Sequence, residues 1–271
     1  MLETLSYTFV QRALVAGIMI GALCAVVGVY VVLRGLAFIG AGISHASFGG
    51  VAIGFALGIN PIWTAIVFCV LTSWGIAAVS RGGNVKEDTA VGIFFASTMA
   101  LGALIIGVIN AQVDVFGYLF GSITAVTSQD LWTTVLISAI VLGCIGWFFK
   151  DLMFVTFDQE SAEVAGLPAG KLYFLLITLI ALTVVMSIKV VGIVLVSALI
   201  VTPAAAAYQL TESFRKMMAL SAAFGVGSCV SGLLLSAWLN VPSGAAIVLL
   251  ATAAFFVCAA FSPRRRRRIT D

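Results

Sequence analysis

Apolar residues in this chain fall into runs close to membrane-spanning length, broken by short polar segments, and that spacing limits the fold more than any other feature. A helix crossing a bilayer needs about 20 predominantly apolar residues. The runs are 12–33, 38–58, 62–80, 89–109, 130–149, 172–188, 190–208, 217–239 and 244–261. Residues 1–12 and 110–129 are mixed in character and leave the count at eight or nine spans. Only 9% of residues are charged and 62% are hydrophobic, against about 25% charged in ordinary soluble domains. The expected fold is therefore all-α, a polytopic transmembrane bundle over residues 1–263 with a basic tail at 264–271. No soluble domain fits in the remainder.

Charge placement orients the bundle. With nine spans and a cytoplasmic C-terminus, the inside segments hold 12 basic residues and the outside segments hold two, Arg12 and Lys189. Cytoplasmic loops of membrane proteins carry such a Lys/Arg excess. The N-terminus is then extracytoplasmic. The run Arg264 to Arg268 follows an apolar 18-mer and reads as a cytoplasmic stop anchor rather than a nucleic-acid site. The N-terminus lacks a basic n-region with a small-residue cleavage site, so no removed signal peptide is expected. Five cysteines stand singly in apolar segments without a CxxC, which points to packing rather than disulfides or zinc.

The second run departs from plain lipid-facing chemistry. Its centre holds Ser44, His45 and Ser47, and His45 is the only histidine in the chain. An ionisable group within a membrane segment costs free energy that lipid does not return, so it marks a functional site by default. Two readings stand: a polar contact on a translocation path, or a neutral imidazole hydrogen-bonded to a neighbouring helix. Gly40, Gly42, Gly49, Gly50 and Gly54 favour close helix packing either way. Thr202-Pro203 lies inside the seventh run, where proline frees a backbone carbonyl and makes either a kink or a hinge near the path.

The segment 158–170, DQESAEVAGLPAG, reads as a short capped helix held between spans. Asp158 is placed to cap it, and Glu160 sits in the first turn where the helix dipole favours acids. Ala162, Val164, Ala165 and Leu167 offer a small apolar surface, and Gly166 and Pro168 end it. Such a helix suits docking into a groove of another protein. The chain has no nucleophile with a base and no GxxxxGK[ST] phosphate loop. No catalytic residue is expected, and any ATPase that drives the chain is a separate subunit.

Taken in order, these segments resemble the membrane permease subunits of bacterial ABC importers for manganese, zinc or iron. The likeness is carried by FVQRALVAGIMIGALCAVVGVYVVLRGLAFIG, GISHASFGGVAIGF, EDTAVGIFFA at 87–96, YLFGSI at 118–123, FDQESAEVAGLP at 157–168, VGIVLVSALIVTPAAAA at 191–207 and VPSGAAIVL at 241–249. The resemblance implies an inner-membrane permease of the ABC importer type that carries a divalent metal ion and binds no covalent cofactor. It implies partners: cytoplasmic ATP-binding subunits, an extracytoplasmic solute-binding protein, and a second copy of the permease. Read from the residues themselves, His45 is the candidate metal contact, and Asp114 and Asp130 near the outer mouth are either oxygen ligands or caps of loop ends. Ser44, Ser47, Thr202 and Pro203 are read as lying along the path from their own chemistry, while the likeness of 157–168 to a coupling helix implies ATPase coupling by Asp158, Glu160, Glu163, Ala165, Gly166 and Leu167.

One position departs from the family pattern. An acidic residue commonly stands four positions before the histidine, and here that position is Ala41. Residues i and i+4 share a helix face, so the pair that could hold a divalent ion keeps only its imidazole. Imidazole suits zinc and iron, while carboxylate suits manganese, which tilts the expectation toward zinc or iron. The alternative function is a secondary metal transporter driven by an ion gradient. Such proteins place several ionisable residues in mid-membrane, and here only His45 is central.

Overall fold

The computed structural model describes residues 8–82, 85–109, 115–121 and 126–262. Among them run α1 (Thr8–Leu33), α2 (Ala37–Leu57), α3 (Pro61–Gly82), α4 (Glu87–Ile109), α5 (Val115–Phe120), α6 (Ser128–Trp147), α7 (Phe149–Phe157), α8 (Gln159–Val164), α9 (Ala169–Val191), α10 (Ile193–Leu210), α11 (Phe214–Leu239) and α12 (Ser243–Ala260). Nine of these are long and apolar enough to cross a membrane. They match the nine sequence runs, so the protein is an all-α polytopic bundle. Asp114 and Arg264 to Arg268 lie outside the described residues.

Local chemistry sets the helix ends. Asn60 accepts from the Ile62 amide at 3.0 Å as Pro61 opens α3. A capping box opens α6: Thr127 accepts from the Asp130 amide at 3.2 Å, and Asp130 accepts from the Thr127 amide at 2.9 Å. Asp158 accepts from the Ser161 amide at 2.9 Å to start α8. Between α9 and α10 stands a single residue, Gly192, at φ +91°. L side chains rarely adopt that conformation, so glycine permits the one-residue junction. The sequence reading ended the sixth span at 188 and put Lys189 in an outside loop. Instead α9 continues to Val191, because the apolar Val190 and Val191 stay buried.

α1 and α9 lie at the centre, and α4 lies at the edge with most of its surface outward. α11 and α10 pack on α1, while α3 and α4 flank α2. Lipid is as apolar as leucine, so contact between spans rests on close packing and interhelical hydrogen bonds. Ser221 donates to the Ala25 carbonyl at 2.8 Å, joining α11 to α1. Trp74 donates to Thr178 at 2.8 Å, joining α3 to α9. Ser243 donates to the Val190 carbonyl at 2.7 Å, joining α12 to α9. The short α5 packs against α9, α10 and α12 around Gly192. Part of the mixed stretch 110–129 thus folds onto the bundle without adding a span.

Lys189 donates to Asp130 at 2.7 Å, an ion pair with side chains 25% and 11% exposed. The same carboxylate caps α6, so Asp130→Ala removes a cap and a charged hydrogen bond together. The expected cost is about 3 kcal/mol, from about 1 for a cap and about 2 for the charged bond. Lys189→Met leaves the capping box in place and costs less. Thermal unfolding of the purified variants checks this order, and the difference vanishes if the cap contributes nothing.

Candidate functional site

His45 lies on α2, half-buried, in a stripe with Ala41 and Phe48 that the neighbouring helices leave partly open. The other sides of α2 are covered by α3, α4 and α10. His45 Nδ1 sits 2.9 Å from the Ala41 carbonyl oxygen, one turn back on the same helix. A carbonyl oxygen only accepts, so Nδ1 carries the proton. In the neutral ring this leaves the lone pair on Nε2, the nitrogen with no hydrogen-bond partner among the described residues. Metal-binding histidines are commonly fixed in this way, with one ring nitrogen donating and the other ligating. The ring also meets Phe95 of α4 edge-on, with centroids 4.6 Å apart. The imidazole is therefore held by its own helix and by an aromatic edge, not by a polar group of a neighbouring helix.

Ser44 and Ser47 are fully buried. Ser44 donates to the Ile193 carbonyl, and Ser47 donates to the Ser44 carbonyl. Ser44 thus ties α2 to the first residue of α10 and sets His45 at the level of the Gly192 junction. Gly40 faces Ser197 one turn further along. This antiparallel register places Thr202 about 13 Å from the Ser44 level, at 1.5 Å per residue. Thr202 is half-buried and Pro203 is buried inside α10. The structure therefore gathers His45 and Ser44, with Ser47 beside them in the packing, and sets Thr202 and Pro203 apart toward the end of the bundle that carries α8.

Among the described residues, no group of three or more His, Cys, Asp or Glu side chains could hold a metal ion. One chain offers a single nitrogen at this place, and Ala41 presents a methyl group where a carboxylate would complete a pair. Such a site suits an ion in passage more than a resident one.

α8 is shorter than the segment read from sequence, and Ala165 follows as its C-cap. Asp158, Glu160, Glu163, Ala165 and Gly166 are exposed. Hydrogen bonds from the Ser161 hydroxyl and amide hold the Asp158 carboxyl below its ordinary range, so the cap stays ionised near neutral pH. Gly166 at φ +84° ends the helix. The apolar surface expected there divides in two. Ala162 is buried and Leu167 packs on the core, while Val164 points outward at 91% exposure. Val164 is the one large apolar side chain exposed on α8, a distinction invisible in the sequence because both kinds of position are apolar.

Sequence reasoning missed the partners of Arg34. Its Nη2 donates to Gln159 of α8 at 2.7 Å, and its guanidinium lies over the Tyr173 ring, 5.0 Å from the centroid. These residues are more than 120 positions apart in the first pair, so no local signal could join them.

A sequence model described as "ABC 3 transport family" matches residues 6–262. The manganese transport system membrane protein MntC of Listeria monocytogenes is 38% identical over 96% of this chain and 93% of its own length. The protein of that name from Halalkalibacterium halodurans is 41% identical over 97% and 90%. A "Probable iron transport system membrane protein" of Haemophilus influenzae is 34% identical over 98% of both. Among solved structures, PsaBC from Streptococcus pneumoniae in complex with Fab superposes with a TM-score of 0.90 at 36% identity, covering 100% of this chain and 98% of the matched one.

Proposed function

The chain belongs to the ABC 3 transport family, as a permease of the metal-importer kind, and from that premise we propose that it passes a divalent transition-metal ion along the open stripe of α2, with His45 Nε2 as a transient ligand and ATP hydrolysed on a separate subunit seated at α8. The observation that carries the reading is the assigned tautomer of a half-buried imidazole inside a membrane span. A neutral nitrogen of this kind binds zinc, iron and other first-row divalent ions. A second copy of the permease would bring a second His45 to a shared path and raise the ligand count. Asp114 remains assigned as a metal contact near the outer mouth, Thr202 and Pro203 to the path, and the exposed acids of α8 to the coupling surface. The excess of basic residues in the segments read as inside supports a cytoplasmic α8 end with the start of α1 outside. An extracytoplasmic solute-binding protein would then deliver the ion.

The relatives' names speak for manganese, and Ala41 speaks for zinc or iron. Proteoliposomes containing the chain, its ATPase and its binding protein decide between them when manganese, iron and zinc are offered together. ATP-dependent accumulation of one metal is the expected result. Accumulation without ATP, collapsed by a protonophore, would overturn the reading in favour of a gradient-driven transporter.

The coupling assignment has its own test. Val164→Asp places a charge where an apolar side chain would enter a partner groove, and it touches nothing in the bundle. ATPase co-purification and ATP-dependent uptake should fall about tenfold, equal to about 1.4 kcal/mol, while the melting temperature stays unchanged. Retention of both would remove α8 from the docking surface.

A further inference from the structure

At the α8 end of the bundle a cavity of about 370 Å³ opens between the ends of α1, α3, α4 and α9. Arg34, Arg81, Lys86, Glu87, Gln159 and Tyr173 line it. Three cations face one carboxylate there, and none of the three forms an ion pair within 4.0 Å among the described residues. Two guanidiniums approach one ring: Arg34 and Arg81 lie 5.0 and 5.7 Å from the Tyr173 centroid. The Arg81 guanidinium also packs over Gly170, in the first turn of α9, where the helix dipole is positive. Glu87 offsets one of these charges, and the two left over repel unless a further anion joins them.

The donors at the cavity are incompletely used. The Tyr173 hydroxyl belongs to a side chain only 5% exposed and has no partner among the described residues. Arg34 Nη1 is buried and likewise unpartnered, while Nη2 holds Gln159. Buried donors are ordinarily satisfied, so these two mark a missing acceptor. A planar guanidinium, a second guanidinium, an ammonium and a phenol form a donor set matched to tetrahedral oxyanions. We propose that this cavity binds a phosphate group, carried either by an anionic phospholipid headgroup at the membrane boundary or by free inorganic phosphate. Through Arg34 and Gln159, an occupant there would also steady α8 against the bundle.

The test uses the full chain purified in detergent. In one arm, native mass spectrometry follows retention of phosphatidylglycerol against diacylglycerol of the same acyl chains. In the other, thermal unfolding is followed with inorganic phosphate against sodium chloride at equal ionic strength. Arg81→Gln and Lys86→Gln should each weaken the effective probe about tenfold, and Tyr173→Phe should weaken it less. Lys86 is exposed, so its substitution reports on binding even where Arg81→Gln impairs folding. Variant-sensitive retention of phosphatidylglycerol identifies the lipid source. Variant-sensitive protection by inorganic phosphate identifies the free anion. If wild type, Lys86→Gln and Tyr173→Phe behave alike in both arms, the site does not exist.

Discussion

His45→Ala should reduce ATP-dependent metal accumulation to the level seen without ATP while leaving the protein folded. Loss of a residue that merely orients a metal ligand already costs about 10- to 100-fold, so removal of the ligand itself should exceed that range. The fold should barely register the change. The ring bonds only to a carbonyl of its own helix, which α2 also uses internally, and it touches Phe95 at one edge. An aromatic edge contact contributes about 0.5–1.5 kcal/mol, and the site is half open, so no closed cavity forms. Uptake and melting temperature measured on the same preparation separate the two accounts. An equal fall in both would make His45 a packing residue, and unchanged uptake would move the ion path elsewhere. Ala41→Asp is the converse experiment, because it restores a carboxylate one turn from the imidazole and should shift preference toward manganese.

Gly28→Val should be among the most damaging single changes in the bundle core. A Cβ at Gly28 would overlap the Ile200 carbonyl oxygen and meet the Ala204 methyl carbon at 3.4 Å. The obstacle is backbone on the facing helix, so no side chain can rotate away and α1 and α10 must separate. Overpacking of a core costs about 1–3 kcal/mol and sometimes more. Separation would also strip contact from Val29, which is fully buried and clusters with Ala204 and Ala207 of α10. The matched control is Gly107→Ala on α4, where nothing lies within 4 Å of the added carbon. That change should be neutral or stabilising by about 0.5–1 kcal/mol. Thermal unfolding of the pair checks the contrast, and equal melting temperatures would mean that the α1–α10 approach is not limiting.

The legible part of this molecule is the part written in neighbouring residues. Nine apolar runs gave nine spans because length alone separates a membrane helix from a loop. Asp158, Gly166 and Pro168 bounded α8 because caps act within one turn. Some boundaries shifted where valines continued a helix past the expected polar stop, as at Val190 and Val191. His45 drew attention because an ionisable group among glycines is costly in lipid. Its tautomer did not follow, since that depends on a carbonyl 2.9 Å away.

What the sequence determined by itself was the class of protein, the nine apolar runs, the short capped helix and the position of the only histidine. Tertiary structure alone decided which side of α2 stays open, that Ser44 and Ser47 turn into the packing, that Asp130 meets Lys189, and that Arg34, Gln159 and Tyr173 share one corner. The physical reason is that spans in lipid are apolar on every side. Their sequences carry little periodic mark of which face meets a neighbour. The choice rests on close approach between backbones and on hydrogen bonds between residues far apart in the chain, and those exist only once the bundle has formed.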